Sequence, residues 1–383
     1  MGAPSFLAKV CAFKFLDGFL IIYPLYAVMF VDHGLTPWQV SATLIAWSTT
    51  AFALQIPAGL LADRWPRRWL LAGAQLVRAA GFLVWLLVPG FPGFLLGLTL
   101  WGVKSALTNG TFEALVYDEL AEAGRPEDYA RVIGRAQGLG FAAILLASGA
   151  AALAARFGYT PALIGSIAAG LAGAAAALAL PRARRATTLG RGDYFGHLRR
   201  GFAYVVAHPA IPGVMAVLAL SQAFGGGLEG FWPVFGREVG LANTEVAIFA
   251  AAIGASQAAG AALAHRLIRA RQAVFSGLFL LTGAALGAAA GLFQAWTVAL
   301  VCLVAAAFKV IDVNFDARLH HAIPSESRAT LAAVRNFGGL TTMTLVLLAF
   351  GPLADATSYR SAFLAAAGAL AAIGATRLVL VRR

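Results

Sequence analysis

Residues 59–89 read GLLADRWPRRWLLAGAQLVRAAGFLVWLLVP, in which a short basic loop leads directly into a long apolar run. The run occupies 69–89 and holds a single charged residue, Arg78. About 20 mainly apolar residues in a helix are enough to cross the hydrocarbon core of a bilayer. This stretch therefore predicts a membrane-spanning helix that begins beside a basic loop.

The same pattern recurs along the whole chain. We predict twelve apolar spans, numbered 1 to 12 in chain order, at 7–31, 39–62, 69–89, 92–120, 130–156, 159–180, 209–235, 243–264, 272–291, 295–319, 328–352 and 359–380. Membrane strands would instead alternate in hydrophobicity over about ten residues. The sequence thus predicts an all-α membrane protein with twelve transmembrane helices.

The composition supports this class. Of the 383 residues 60% are hydrophobic and only 12% are charged, whereas soluble chains carry roughly 25% charged residues. The net charge of +12 would also suit a nucleic-acid binder, but such proteins gather their basic residues on one face. Here the basic residues lie in short clusters between apolar spans, so we expect no nucleic-acid partner.

The positions of Lys and Arg predict the topology. Twenty of the 29 fall on the side that holds both termini and the central loop, three fall on the opposite side, and six lie within spans. Basic loops favour the cytoplasmic side. We therefore expect a multi-pass protein of the inner (plasma) membrane with cytoplasmic termini, and a short amphipathic surface helix within 194–206.

The two halves of the chain repeat each other. Leu61-Ala62-Asp63-Arg64-x-x-Arg67 corresponds to Leu263-Ala264-His265-Arg266-x-x-Arg269, and Lys104 with Asn109 to Lys309 with Asn314. Arg135-x-x-Gly138 likewise corresponds to Arg335-x-x-Gly338. This order predicts two parallel six-helix bundles, 1–181 and 209–383, joined by a cytoplasmic linker at 182–208. Transporters built from such repeats bind substrate near the bilayer midplane.

The loop GLLADRWPRR at 59–68 resembles the major facilitator superfamily, whose loop between spans 2 and 3 has the pattern G-x-L-A-D-R-x-G-R-R/K. The resemblance implies the family fold, secondary transport by alternating access, a monomer, and a loop that latches the cytoplasmic side. The gate residues that it implies are Gly59, Asp63, Arg64, Arg67 and Arg68.

A second stretch looks like a bacterial efflux-type branch of that family. It comprises Glu113-Ala114-Leu115-Val116-Tyr117-Asp118, followed by Arg131 and Arg135. We expect a cytoplasmic gate network here rather than a substrate site. The chain also departs from the family pattern, because Pro66 replaces a glycine and span 5 lacks the proline of many drug antiporters.

Charges inside spans are the candidate functional residues, because a charge at the bilayer centre costs at least ~2.5–3.5 kcal/mol. Besides Arg78, we select as coupling or substrate-binding candidates Lys14, Asp17, Lys104, Glu113, Glu229, Lys309, Asp312, Asp316 and Arg335. By the family resemblance, spans 1, 4, 7 and 10 line the central cavity, and most of these residues lie on them.

Spacing leaves two interpretations open for each group. Lys14 and Asp17 lie three residues apart and can pair on one helix face, either as a static pair or as a proton-accepting carboxylate beside a base. Lys309, Asp312 and Asp316 likewise share a face of span 10, as a proton-release site or an ion network.

Two further candidates lie outside these groups. Lys104 and Arg335 can instead meet an anionic substrate. Glu229 follows three consecutive glycines, which weaken a helix and suggest either a hinge or close packing.

The chain has no G-x-x-x-x-G-K-S/T loop, nucleophile motif or zinc spacing, so we expect no enzyme activity, cofactor or metal. The first hypothesis is proton-coupled export of small amphipathic compounds, with the substrate, protons and membrane lipids as partners. The second is an uptake symporter or facilitator for an organic anion or metal chelate. The third is a receptor or lipid-handling protein that has kept only the fold.

Overall fold

The structure is a computed structural model that describes residues 3–181, 210–322 and 328–382, together with positions 196, 199, 205 and 208. The described chain is helical and contains no strand. The surface helix predicted within 194–206 lies outside the described residues, apart from three isolated positions.

Most predicted spans correspond to single long helices. Within the described residues, nine helices are long and apolar enough to cross a membrane, and the bent pair Pro37–Ala53 and Gln55–Arg64 supplies a tenth. The nine are Arg67–Leu87, Pro126–Phe157, Thr160–Leu178, Ile211–Glu229, Asn243–Leu267, Gln272–Leu292, Ala295–Leu319, Val334–Ala356 and Tyr359–Val379. They match predicted spans 3 and 5 to 12, and the bent pair matches span 2.

Spans 1 and 4 are broken helices. Span 1 consists of Ala3–Gly18 and Tyr26–Asp32, separated by turns that include Pro24. Span 4 consists of Phe91–Thr108 and Thr111–Glu122, separated at Gly110, whose φ of 77° is accessible chiefly to glycine. Both breaks therefore fall inside segments that were predicted as single spans.

Span 7 is also irregular. Ala210–Ser221 continues into a π-helical stretch at Gln222–Gly226, and the short helices Gly227–Glu229 and Trp232–Glu238 follow. The π-helical stretch includes Gly225 and Gly226, and a Cβ at Gly225 would lie 3.3 Å from the Phe308 side chain. The glycines are thus closely packed, and the hinge stays a prediction. Single π-helical turns inside α-helices frequently occur at functional sites.

The remaining helices of the second half are regular over most of their length. They are Asn243–Leu263, Gln272–Leu292, Val298–Ala322, Arg328–Ala356 and Tyr359–Arg382.

Two compact units divide the chain. The first unit comprises Met1–Leu35, Thr43–Gly190 and Asn243–Ala251. The second unit comprises Thr36–Ala42, Arg191–Ala242 and Ala252–Arg383.

Glycines bring the helices of the first unit close together. A Cβ at Gly18 would lie 2.7 Å from the carbonyl oxygen of Gly140, which places the end of the first helix against span 5. A Cβ at Gly170 would lie 3.0 Å from Cβ of Ala79, so span 6 packs closely on span 3. Small residues permit such approaches between membrane helices. The glycines therefore allow close packing of the helices in this unit.

Glycines also allow close packing of spans 9 and 12 in the second unit. A Cβ at Gly283 would lie 2.7 Å from the backbone nitrogen of Ala371, and one at Gly374 would lie 2.7 Å from that of Leu280. Aromatic rings pack together elsewhere in this unit, where the centre of the Phe363 ring lies 4.9 Å from that of Phe350.

Candidate functional site

A cavity of about 460 Å³ lies within the first unit, among spans 1, 3, 4 and 5. The residues that line it are Lys14, Asp17, Gly18, Leu20, Tyr23, Arg78, Trp101, Lys104, Gln137, Gly140, Phe141, Ile144 and Ser148. Its volume falls in the range of sites that bind small organic molecules.

Asp17 is the centre of the charged wall of this cavity. Its Oδ1 lies 2.7 Å from Nζ of Lys104, accepts a hydrogen bond of 2.7 Å from Gln75 Nε2, and lies 3.4 Å from Arg78 Nη1. Arg78 Nη1 also donates to the backbone carbonyl of Asp17 at 3.0 Å. Nζ of Lys14 lies 3.6 Å from the other carboxylate oxygen. One carboxylate thus contacts side chains from three spans.

The local folding of spans 1 and 3 explains how these groups meet. Asp17 is the next-to-last residue of Ala3–Gly18, so its carboxylate lies where span 1 leaves the helical conformation. Gln75 and Arg78 are three residues apart and share a face of span 3, where Arg78 Nη2 donates to Gln75 Oε1. Gln75 therefore holds both the carboxylate and the guanidinium in place.

Basic side chains outnumber acidic ones on this wall. The exposed fraction of Arg78 is 1%, that of Lys104 is 8% and that of Asp17 is 9%. Asp17 is the one acid among the described residues that line the cavity, which also include Lys14, Lys104 and Arg78. The wall thus carries a formal excess of two positive charges, and Nε of Arg78 is buried without a hydrogen-bond partner in the described chain.

The rest of the cavity is apolar and aromatic. The ring of Tyr23 lies 6.1 Å from that of Trp101, edge to face, and Trp101 rests against Phe82 at 5.4 Å. Phe141 and Ile144 of span 5 add further apolar surface. A charged wall that faces an apolar one suits an amphipathic ligand.

A second, smaller pocket of about 130 Å³ lies within the second unit. Its lining residues are Ser221, Gln222, Gly225, Gly226, Glu229, Trp232, Gln257, Ala305, Phe308, Lys309 and Asp312. The π-helical stretch of span 7 therefore forms one of its walls.

An ion network extends along span 10 from this pocket. Nζ of Lys309 lies 3.7 Å from Asp312, as the three-residue spacing predicted. Arg335 joins the network from span 11, with its guanidinium 2.6 Å from Asp316 and 3.4 Å from Asp312. Two acids and two bases give this network no net formal charge, whereas the cavity wall of the first unit has an excess of two positive charges.

The predicted gate residues form one mutual ion pair among the described residues. Arg67 forms an ion pair with Asp118, so the basic loop and the second helix of span 4 are joined. Arg131 instead pairs with Asp128, three residues before it, at 2.8 Å. Among the described residues, no ion pair joins Arg135 to Asp118.

The other gate residues lie mostly at the surface. Asp63 and Arg64 are exposed, and a Cβ at Gly59 would meet nothing within 4 Å. Arg68 lies over the Trp69 ring, 5.8 Å from its centre. Glu113 is half-buried and lies outside the cavity lining.

Sequence reasoning found part of the cavity site. It selected Lys14, Asp17 and Lys104, which the structure brings together. Arg78, predicted only as an intramembrane charge, and Gln75, which has no sequence prediction, also belong to this cluster. The available signal was the three-residue step from Gln75 to Arg78, which repeats the step from Lys14 to Asp17.

A sequence profile described as Major Facilitator Superfamily matches residues 10–340. No curated protein sequence matches the chain.

Three solved transporter structures have a similar fold. A point mutant of the nucleoside transporter NupG superposes with a TM-score of 0.76 at 14% identity, covering 98% of this chain and 99% of that one. An auto-inhibited POT family peptide transporter gives 0.71 at 14% identity, covering 99% and 97%. A bacterial homologue of the human lysosomal transporter Spinster gives 0.68 at 18% identity, covering 98% and 95%.

Proposed function

The chain belongs to the Major Facilitator Superfamily, with the fold of its transporters, and we propose that it is a secondary transporter that couples the movement of a small amphipathic solute to proton movement by alternating access. The observation that carries this proposal is the buried charged cluster on the wall of the first-unit cavity. Charges within spans are costly, and they are usually retained for a pathway or a proton relay.

Asp17 is the proposed proton-coupling residue. It is the one carboxylate among the described lining residues, and its oxygens contact Lys104, Gln75 and Arg78. Protonation of Asp17 would weaken these contacts and change the charge that the cavity presents to a solute. Binding of a solute beside Asp17 and protonation of Asp17 therefore affect each other.

The first candidate direction is export in exchange for protons. Such exchange requires that the proton and the solute exclude each other at Asp17, which suits a neutral or cationic amphipathic compound. The aromatic and apolar wall formed by Tyr23, Trp101 and Phe141 supports an amphipathic solute.

The second candidate is uptake of an organic anion together with a proton. It is favoured by the two excess positive charges on the cavity wall. Here the proton and the anion bind together, because neutral Asp17 no longer competes for Lys104 and Arg78.

Purified protein in liposomes that contain a pH-sensitive dye tests the proposal. Cationic, neutral and anionic compounds are added under an imposed proton gradient, and proton movement triggered by one class is expected. Its sign separates exchange from symport, and hence export from uptake. No proton movement with any compound would contradict the proposed coupling.

Substitutions then identify the coupling carboxylate. Asp17→Asn is expected to abolish coupled proton movement, and Asp312→Asn tests the network of the second unit in the same way. Glu127→Gln removes an exposed carboxylate from the first turn of Pro126–Phe157 and serves as the matched control. Normal coupled transport by Asp17→Asn would contradict the assignment of Asp17.

A further inference from the structure

We infer that the first-unit cavity recognises an organic acid, whose anionic group binds to Lys104 and Arg78 in competition with Asp17. The inference rests on the proposed function only in taking this cavity as the solute site. Of the two candidate solutes it commits to the anion, and it adds the apolar body of the solute and the competition with Asp17 for Lys104 and Arg78.

The charges around Asp17 do not balance. Lys14, Arg78 and Lys104 each lie within 4 Å of this single carboxylate. Span 5 faces the cavity with the neutral Gln137 and Ser148, and span 6 has no titratable residue between Thr160 and Leu178. One carboxylate cannot neutralise three cations, and buried cations without counter-charges are strongly unfavourable.

Lys104 and Arg78 also supply hydrogen-bond donors that the described residues leave unused. An ammonium group has three donors and a guanidinium has five. Asp17 is the one ion-pair partner of Lys104 among the described residues, and Nε of the almost fully buried Arg78 has no partner there. The acceptor oxygens of a ligand carboxylate or phosphate match these unused donors in charge and geometry.

The remaining wall of the cavity is apolar and aromatic. Tyr23, Trp101 and Phe141 provide apolar and aromatic surface in the same cavity as the cations. The volume of about 460 Å³ suits a molecule of one or two rings. The predicted ligand is therefore an organic acid with an aromatic or apolar body rather than an inorganic anion.

Asp17 has a defined part in this scheme. Its carboxylate contacts the same ammonium and guanidinium that the ligand requires. Replacement of Asp17 by asparagine removes the competing charge and is expected to tighten binding of an acid on the order of tenfold, as for release of a charge-assisted hydrogen bond. The same replacement abolishes coupled transport in the proposed function, so binding and coupling change in opposite directions.

Binding of three related probes to the purified full chain tests the inference. Indole-3-acetate, indole-3-acetamide and tryptamine share one ring system and carry a negative, no and a positive charge. Titration calorimetry at neutral pH is expected to give the tightest binding for the acid. Lys104→Met is expected to weaken acid binding by at least about tenfold. Lys9→Gln, which removes a charge from the same helix as Lys14 but outside the cavity lining, is expected to leave acid binding unchanged.

Several results would overturn the inference. They are equal or tighter binding of the amide or the amine, no acid binding at millimolar concentration, or acid binding that survives Lys104→Met. Lys14→Met is a second test at a more exposed cation of the same wall and is also expected to weaken acid binding. Size-exclusion chromatography verifies folding of each variant. Displacement of indole-3-acetate by phosphatidylglycerol but not by phosphatidylcholine would assign the site to a lipid headgroup instead.

The outcomes separate this inference from the proposed function. Acid binding without proton movement would keep the anion site and remove proton coupling. Proton movement driven by tryptamine but not by indole-3-acetate would keep the coupled transporter and remove the anion site.

Discussion

The ammonium group of Lys104 on span 4 lies 2.7 Å from the carboxylate of Asp17 at the end of the first helix. Both residues are more than nine-tenths buried. This ion pair joins the two broken spans of the first unit at the wall of its cavity. Since Arg78 and Lys14 contact the same carboxylate, the four groups act as one electrostatic unit.

The two partners of this pair contribute unequally to stability. Asp17→Asn removes the counter-charge shared by three cations, whereas Lys104→Met leaves Asp17 with Arg78 and Lys14. Removal of one partner from a buried ion pair costs about 3–5 kcal/mol. We expect Asp17→Asn to approach this value and Lys104→Met to cost roughly 1 kcal/mol.

Thermal unfolding of the detergent-solubilised variants measures this difference. Glu127→Gln and Lys9→Gln are the matched single-charge controls. A larger loss of stability in Lys104→Met than in Asp17→Asn would show that the carboxylate is not the shared counter-charge.

Helix packing in the second unit gives a prediction independent of charge. Gly283 and Gly277 lie on the same helix, Gln272–Leu292. A Cβ at Gly283 would lie 2.7 Å from a backbone atom of span 12, whereas one at Gly277 would meet nothing within 4 Å. We expect Gly283→Ala to destabilise the protein by about 1–3 kcal/mol. Gly277→Ala is expected to be neutral or to stabilise by roughly 0.5–1 kcal/mol, because alanine favours the helix.

The two alanine variants are compared by their unfolding temperatures in one detergent. Similar temperatures would mean that spans 9 and 12 tolerate a wider separation than the structure indicates.

Sequence reasoning predicted the spans and the local charge pairs but not the breaks or the long-range contacts. Apolar length marks a span, and three-residue spacing predicted the Lys14–Asp17 and Lys309–Asp312 pairs, since helix geometry alone sets both. The break at Gly110 depends on a left-handed backbone that many glycines never adopt. Contacts such as Asp17 with Lys104 depend on helix packing, which the pattern of a single span does not encode.

A double-mutant cycle measures the coupling free energy of the ion pair between Arg67 and Asp118. Both side chains are partly buried, so we expect a coupling free energy of about 0.5–1 kcal/mol between Arg67→Gln and Asp118→Asn. Arg64→Gln removes an exposed charge from the same loop and is expected to show no coupling to Asp118→Asn. Chemical unfolding of the single and double variants gives these values, and equal coupling for both arginines would indicate a long-range charge effect rather than a specific pair.

Substitution of Gln75 tests how the charge balance of the cavity wall affects ligand binding. Its amide donates to Asp17 and accepts from Arg78, so it has no formal charge but organises the charged wall. Gln75→Glu keeps the size of the side chain but replaces the amide that donates to Asp17 with a second carboxyl group. When this group is ionised beside Arg78, the formal basic excess falls from two to one. We expect indole-3-acetate to bind roughly tenfold more weakly and tryptamine to bind more tightly.

Gln75→Leu keeps the basic excess but releases both hydrogen bonds, so it is expected to lower stability by about 1–3 kcal/mol without favouring the amine. Calorimetric titration of both probes separates the two effects, and weaker acid binding in Gln75→Leu alone would assign Gln75 a positioning role without any contribution from charge balance.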